Sequence, residues 1–245
     1  MITEKIVLNE RGAALDAYIL KTSKEMPNMT KRPAILVIPG GGYKVVSDRE
    51  GEPVAMPFIA QGYNAFVLTY SVGKGNATFP KPLEEAELAL ELIRKNAEKW
   101  NIIPDKIAAI GFSAGGHLAA ALSTMGRVRP NALILGYPCI LAWDDPVLAE
   151  PIISLDDKVT KDTPPTFIVS SAADKVVPIE HSLRFADALN KAGVSFEMHI
   201  FAKGYHGFSI ANEAVFADKN ALEENAHTAE WVPMCITWLK KNLNF

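Results

Sequence analysis

The sequence predicts an α/β fold, a mostly parallel sheet with helices on both faces. Short apolar or β-branched runs alternate with longer helical patterns along most of the chain, the rhythm of parallel strands joined by helical crossovers. Most of the runs are continuously apolar, as interior strands covered on both faces should be. With 245 residues and 49% hydrophobic content, the chain can fill one large core without a second domain.

Taken in order, residues 4–8 and 14–20 are two amino-terminal strand candidates, followed by 34–38 and 65–68. Leu83, Ala86, Leu90, Ile93, Ala97 and Trp100 then step by three and four, forming one stripe of a helix whose other faces carry Glu and Lys. A short strand over 106–110 precedes an alanine-rich helix beginning near His117, and 132–135 is the next strand. Residues 138–165, with Trp143, Asp144 and Asp145, lack periodicity and predict an irregular, cap-like excursion over the top of the sheet. Strand 166–169 follows, then a helix over 179–191 with Ile179, Leu183, Ala186 and Leu189 inward and Gly193 as its carboxyl-terminal cap. Strand 196–201 and a helix over 231–239, with Trp231, Met234 and Trp238 on one side, complete the pattern. These aromatic and methionine positions are expected to be core.

Charge excludes some function classes. Lys and Arg total 25 against 28 Asp and Glu, a net charge of −3, and the charges are interspersed, so no nucleic-acid footprint is expected. Cys139 and Cys235 stand far apart without metal-ligand spacing, which implies neither a disulfide framework nor a zinc site and fits a reduced, cytoplasmic setting. Residues 1–5 lack the charge pattern of a secretory signal, and no apolar run approaches the ~18 residues of a membrane span, so no membrane partner is expected. No feature specifies an oligomeric state.

The most informative stretch is Gly111-Phe112-Ser113-Ala114-Gly115, set between an apolar strand and a helix. A serine at the apex of a sharp strand-to-helix turn has a strained backbone, and the residues two before and two after it must be tiny. Acyl transfer by such a serine needs a base, a carboxylate to orient the base, and donors for the oxyanion. His206, between Gly204 and Gly207 after the last strand, is the preferred base. His117, one helical turn beyond Ser113, is expected to pack or hydrogen-bond locally, and His181, His199 and His227 to be structural or surface residues.

Asp174 follows strand 166–169, and the order Ser113, Asp174, His206 is the one expected when three residues leave successive carboxyl ends of one sheet. Its competing reading is a helix amino-terminal or turn residue ahead of Pro178. Asp144, Asp145, Asp156, Asp157 and Asp162 are rival acids in the irregular excursion. Pro39-Gly40-Gly41-Gly42-Tyr43 follows strand 34–38, and Gly41 and Gly42, with the amide of Ala114, are the expected oxyanion donors. The phosphate-binding glycine patterns and His-Glu-x-x-His are absent.

Together, residues 39–43, 111–117, 163–178 and 204–208 resemble the α/β-hydrolase superfamily, and within it the small bacterial carboxylesterases of the acetyl-xylan-esterase-like and hormone-sensitive-lipase-like branch. The resemblance covers nearly the whole chain. It implies a single α/β-hydrolase domain over 1–245, an eight-stranded, mostly parallel sheet with its first strands antiparallel, no cofactor, and a small-molecule ester substrate. It implies a serine carboxylesterase for short-acyl esters, acetyl esters of carbohydrates among them. A serine peptidase or thioesterase with the same three residues, or a non-catalytic ligand-binding scaffold, are the alternatives. Two positions depart from that branch: Pro39 stands where a histidine commonly precedes the glycines, and Ser170 and Ser171 where His or Gly is common.

Overall fold

The computed structural model describes residues 1–245. Its strands are β1 (Ile2–Val7), β2 (Ala14–Ile19), β3 (Arg32–Ile38), β4 (Asn64–Thr69), β5 (Ile102–Phe112), β6 (Ala132–Gly136), β7 (Thr166–Ser171) and β8 (Phe196–Phe201). They form one sheet in the order β1-β2-β4-β3-β5-β6-β7-β8. β2 pairs antiparallel with both β1 and β4, and every pairing from β4 onward is parallel. Of the two amino-terminal strands, therefore, β2 alone runs against the rest.

The period-two geometry of the strands divides their side chains between two cores. Leu36, Ile38, Phe66, Ala109, Leu135 and Ile168 face one core, and Ile35, Val37, Ala65, Ile110, Ile134 and Val169 the other. The first core is covered by α2 (Lys81–Lys95), α3 (Ser113–Thr124) and α4 (Glu180–Lys191), the second by α1 (Glu52–Ala60) and α6 (Trp231–Asn242). A short α5 (Lys219–Asn225) lies just before α6. No helix is long and apolar enough to cross a membrane.

Several boundaries and faces differ from the sequence expectation. β1 spans Ile2–Val7, displaced from 4–8. The predicted apolar stripe is buried, but α2 ends at Lys95, so Ala97 and Trp100 lie beyond it, and Glu85 and Glu87 are buried too. Glu85 accepts from Ser71 N (2.7 Å), Ser71 Oγ (2.7 Å), Asn9 Nδ2 (2.8 Å) and Arg11 Nε (3.0 Å); Glu87 accepts from Arg127 N and Nε at 2.7 and 2.9 Å. On α4 the inward face is His181, Ser182, Phe185, Ala186 and Leu189, while Leu183 points to solvent. The aromatic Phe185 sets the helix phase, and Leu183, two residues away, falls on the opposite side.

Residues 138–165 contain no strand or α-helix, yet they are tied down. Trp143 and Ile152 form an isolated antiparallel bridge. His181 Nδ1 accepts from the amides of Ile140 and Leu141 at 2.9 and 3.2 Å, and Ala149 N donates to Gly42 O at 2.8 Å. The segment therefore lies across the glycine turn that follows β3.

Candidate active site

Strand β5 runs through Gly111 and Phe112 directly into Ser113, the first residue of α3, whose φ is +51°. This left-handed backbone is costly for a non-glycine residue. Its neighbours allow it: a Cβ on Gly111 would lie 2.2 Å from Gly115 O, and one on Gly115 would lie 2.2 Å from Ile38 O. The pattern of small residues thus answers a real steric demand, made by the abutting ends of β3 and α3.

Ser113 Oγ lies 2.9 Å from His206 Nε2, and His206 Nδ1 lies 2.7 Å from Asp174 Oδ2. Gly204 (φ +137°) and Gly207 (φ +78°) let the loop after β8 turn His206 towards the serine. Asp174 follows β7, and its Oδ1 accepts from the amides of Val176 and Val177 at 2.8 and 3.0 Å. These donors orient the carboxylate and leave Oδ2 to the imidazole. Asp174 thus makes the contacts of a turn residue on one oxygen and meets the imidazole with the other. With Nδ1–H donating to Asp174, Nε2 is free to accept the serine proton.

The glycine turn sits beside this relay. Gly41 (φ +119°) and Gly42 (φ +64°) have backbones that L side chains rarely adopt, and a Cβ on Gly42 would lie 2.3 Å from Val147 O. Neither glycine amide donates to a protein acceptor, and the Ala114 amide lies in the first turn of α3, where N–H groups have no intrahelical partner. Pro39, at the position of the common histidine, is held by its carbonyl, which accepts from Tyr70 Oη at 2.7 Å. Ser113, His206, Gly41 and Gly42 border a cleft of about 330 Å³ whose apolar wall includes Trp143, Leu148 and Val177.

Cys139 also lines the cleft, but burial pushes its thiol up to about 12, so it stays protonated and does not compete as a nucleophile. His117 is buried. Its Nε2–H donates to Ile153 O at 3.0 Å and its Nδ1 accepts from Tyr43 Oη at 2.9 Å, a neutral ring whose pKa burial lowers to about 4. His181 anchors the excursion as described, and burial lowers its pKa too. His199 contacts Glu197 at 2.8 Å, and His227 is exposed. Among the rival acids, Asp156 pairs with Arg184 at 2.9 Å and Asp145 caps the amide of Val147 at 2.8 Å; none reaches His206.

Sequence reasoning missed two residues beside the site. Glu50 is buried and accepts from Gly40 N and Tyr137 Oη, each at 2.7 Å. The Tyr137 ring stands edge-on to His206, with centroids 5.0 Å apart. Glu50 sits in a short charged stretch, Asp48-Arg49-Glu50, with only Gly51 and Pro53 beside it as a turn signal.

Compared with solved structures, the chain superimposes over 100% of its length on 99% of MGS-M1, described as an alpha/beta hydrolase enzyme from a Medee basin deep-sea metagenome library, with a TM-score of 0.93 and 43% identity. The chain belongs to the α/β-hydrolase family. The chain is also 34% identical, with a TM-score of 0.79 over 97% of its own length and 96% of the other, to the acetyl ester-xyloside bifunctional hydrolase of Caldicellulosiruptor lactoaceticus. Among curated proteins it is 31% identical over 216 residues to the acetylxylan esterase of Xylanibacter ruminicola, matching 79% of this chain and 45% of that protein. It spans well under two thirds of the length of its first curated relatives. The BD-FAE family model matches residues 15–133, and the prolyl oligopeptidase family model matches 141–236. Ser113 and the glycine turn fall in the first of these stretches, Asp174 and His206 in the second.

Proposed function

We propose that the protein is a serine carboxylesterase acting on short-acyl esters, with acetyl groups on carbohydrates as the preferred substrate class. The observation that carries this reading is the continuous relay from Ser113 Oγ through His206 to Asp174, at 2.9 and 2.7 Å. Ser113 attacks the ester carbonyl as His206 takes its proton; Asp174 steadies the imidazolium; the alcohol leaves with the proton returned by His206. Water, activated by the same imidazole, then releases the acid from Ser113. Gly41, Gly42 and Ala114 amides receive the oxyanion, each donor contributing on the order of 3 kcal/mol.

A cleft of about 330 Å³ lies at the small end for a ligand site and suits a short acyl group. The likeness to an acetylxylan esterase and to an acetyl ester-xyloside hydrolase supports acetylated sugars. Cys139 and Cys235 are buried free thiols, in keeping with a reducing, cytoplasmic setting.

The test is a p-nitrophenyl ester series from acetate to decanoate, run beside acetylated xylo-oligosaccharides and peptide p-nitroanilides, with Ser113→Ala as control. The expected result is highest kcat/KM on acetate, a fall with chain length, acetate release from the sugars and no amide cleavage. Faster turnover of the anilides would move the protein to the peptidases.

A further inference from the structure

Two loops distant in sequence meet at one buried carboxylate. Glu50 follows the glycine turn, is 3% exposed, and has no cationic partner within ion-pair distance. Its Oε2 accepts from Gly40 N and its Oε1 from Tyr137 Oη, both at 2.7 Å. Both oxygens accept, as an ionised carboxylate requires. Tyr137 Oη in turn accepts from Ser209 N at 3.0 Å, Ser209 Oγ donates to Arg49 O at 2.7 Å, and Trp231 Nε1 donates to Ser209 O at 2.7 Å.

The chain of bonds therefore joins the exit of β3, the turn carrying Glu50, the exit of β6 and the loop carrying His206. Two of its members have left-handed backbones, Tyr137 at φ +36° and Ser209 at φ +49°. Such conformations persist where surrounding contacts over-determine them. Burial, and after it the Glu50 charge, holds the Tyr137 phenol well above its ordinary pKa, so it remains the donor. The Tyr137 ring also touches the imidazole edge-on, and Glu50 stands where any side chain on Gly40 would collide with it, at 2.8 Å.

We propose that Glu50 is a positioning residue that acts through Tyr137 and Gly40 to hold the glycine turn and the His206 loop in register with Ser113. A buried, uncompensated carboxylate is expensive to keep. Here it draws an amide from one loop and a hydroxyl from another onto one group, one on each oxygen. This inference rests on the esterase reading above.

The experiment compares wild type with Glu50→Gln, Tyr137→Phe and the double variant, using p-nitrophenyl acetate turnover and the rate at which diethyl p-nitrophenyl phosphate labels Ser113. Each single variant is expected to lower kcat by roughly 10- to 100-fold with KM little changed, because misplacement costs rate more than ground-state binding. Labelling should slow by the same factor, and the double variant should be no worse than the worse single, since the two residues act as one chain. Near-unchanged kcat in folded Glu50→Gln, or multiplying losses in the double variant, would overturn the proposal. Tyr137→Phe removes one oxygen and keeps the ring, so it decides the matter if Glu50→Gln does not fold: unchanged kcat there overturns it. An inactive wild type would instead remove the esterase reading itself.

Discussion

A β-carbon on Gly115 would stand 2.3 Å from the carbonyl oxygen of Pro39. The first turn of α3 is thus pressed against the start of the glycine turn, so the serine and the turn beside it are positioned by one contact between backbones. A substitution there has no flexible side chain to push aside.

Gly115→Ala should therefore be severely destabilising, by about 3 kcal/mol or more, as overpacking against fixed backbone is. Gly193→Ala is the contrast: its backbone is left-handed, φ +70°, where that of Gly115 is helical, but it has open space around the missing Cβ, and it should cost only roughly 1 kcal/mol. Thermal melts of the two variants decide this; equal shifts would show that the close approach does not exist.

Asp174→Asn should leave the fold intact and lower kcat about 10⁴-fold, because the wrong imidazole tautomer would be held against Ser113. His206→Ala should abolish turnover, whereas His117→Ala should keep most of it while lowering Tm. Steady-state kinetics on p-nitrophenyl acetate check both. A reversal between the two histidines would move the base.

Falling pH should weaken the fold over two successive ranges. His117 has a folded pKa of about 4 against the usual 6.5, so the unfolded chain takes up a proton that the folded one refuses. Its contribution is complete above pH ~6.5 and is lost as pH falls towards ~4, by roughly 3 kcal/mol in all. Glu85 behaves differently: burial alone would raise its pKa, but hydrogen bonds from Asn9, Ser71 and Arg11 outweigh this and lower it below 4.5. Its contribution therefore persists until pH falls below that ordinary value. Denaturant midpoints between pH 7 and 5 should fall less in His117→Gln than in wild type. Identical slopes would contradict the assignment.

Much of this was legible in the sequence because the site is built from strand ends. Ser113 and Asp174 each follow an apolar run that reads as an interior strand, His206 follows the edge strand β8, and their order followed from the topology. Helix α1 was not legible: Pro53 at its start and Pro57 inside it mask the helical pattern. The inward face of α4 was misread because Leu183 looks like core in isolation, whereas the structure spends that face on Phe185 and on His181, a polar residue satisfied by backbone amides forty residues away. Glu50 was invisible for the same reason. A buried carboxylate is defined by partners that are distant in sequence, here Tyr137, and by no local period.

Whether Ser113 is the nucleophile is decided by peptide mapping by mass spectrometry after labelling with diethyl p-nitrophenyl phosphate, with p-nitrophenyl acetate turnover followed in parallel. The expected result is a single diethyl phosphoryl group on the peptide containing Ser113, turnover lost in proportion to labelling, and no label in Ser113→Ala. Label on another residue, or full turnover in a protein whose Ser113 is completely modified, would contradict it.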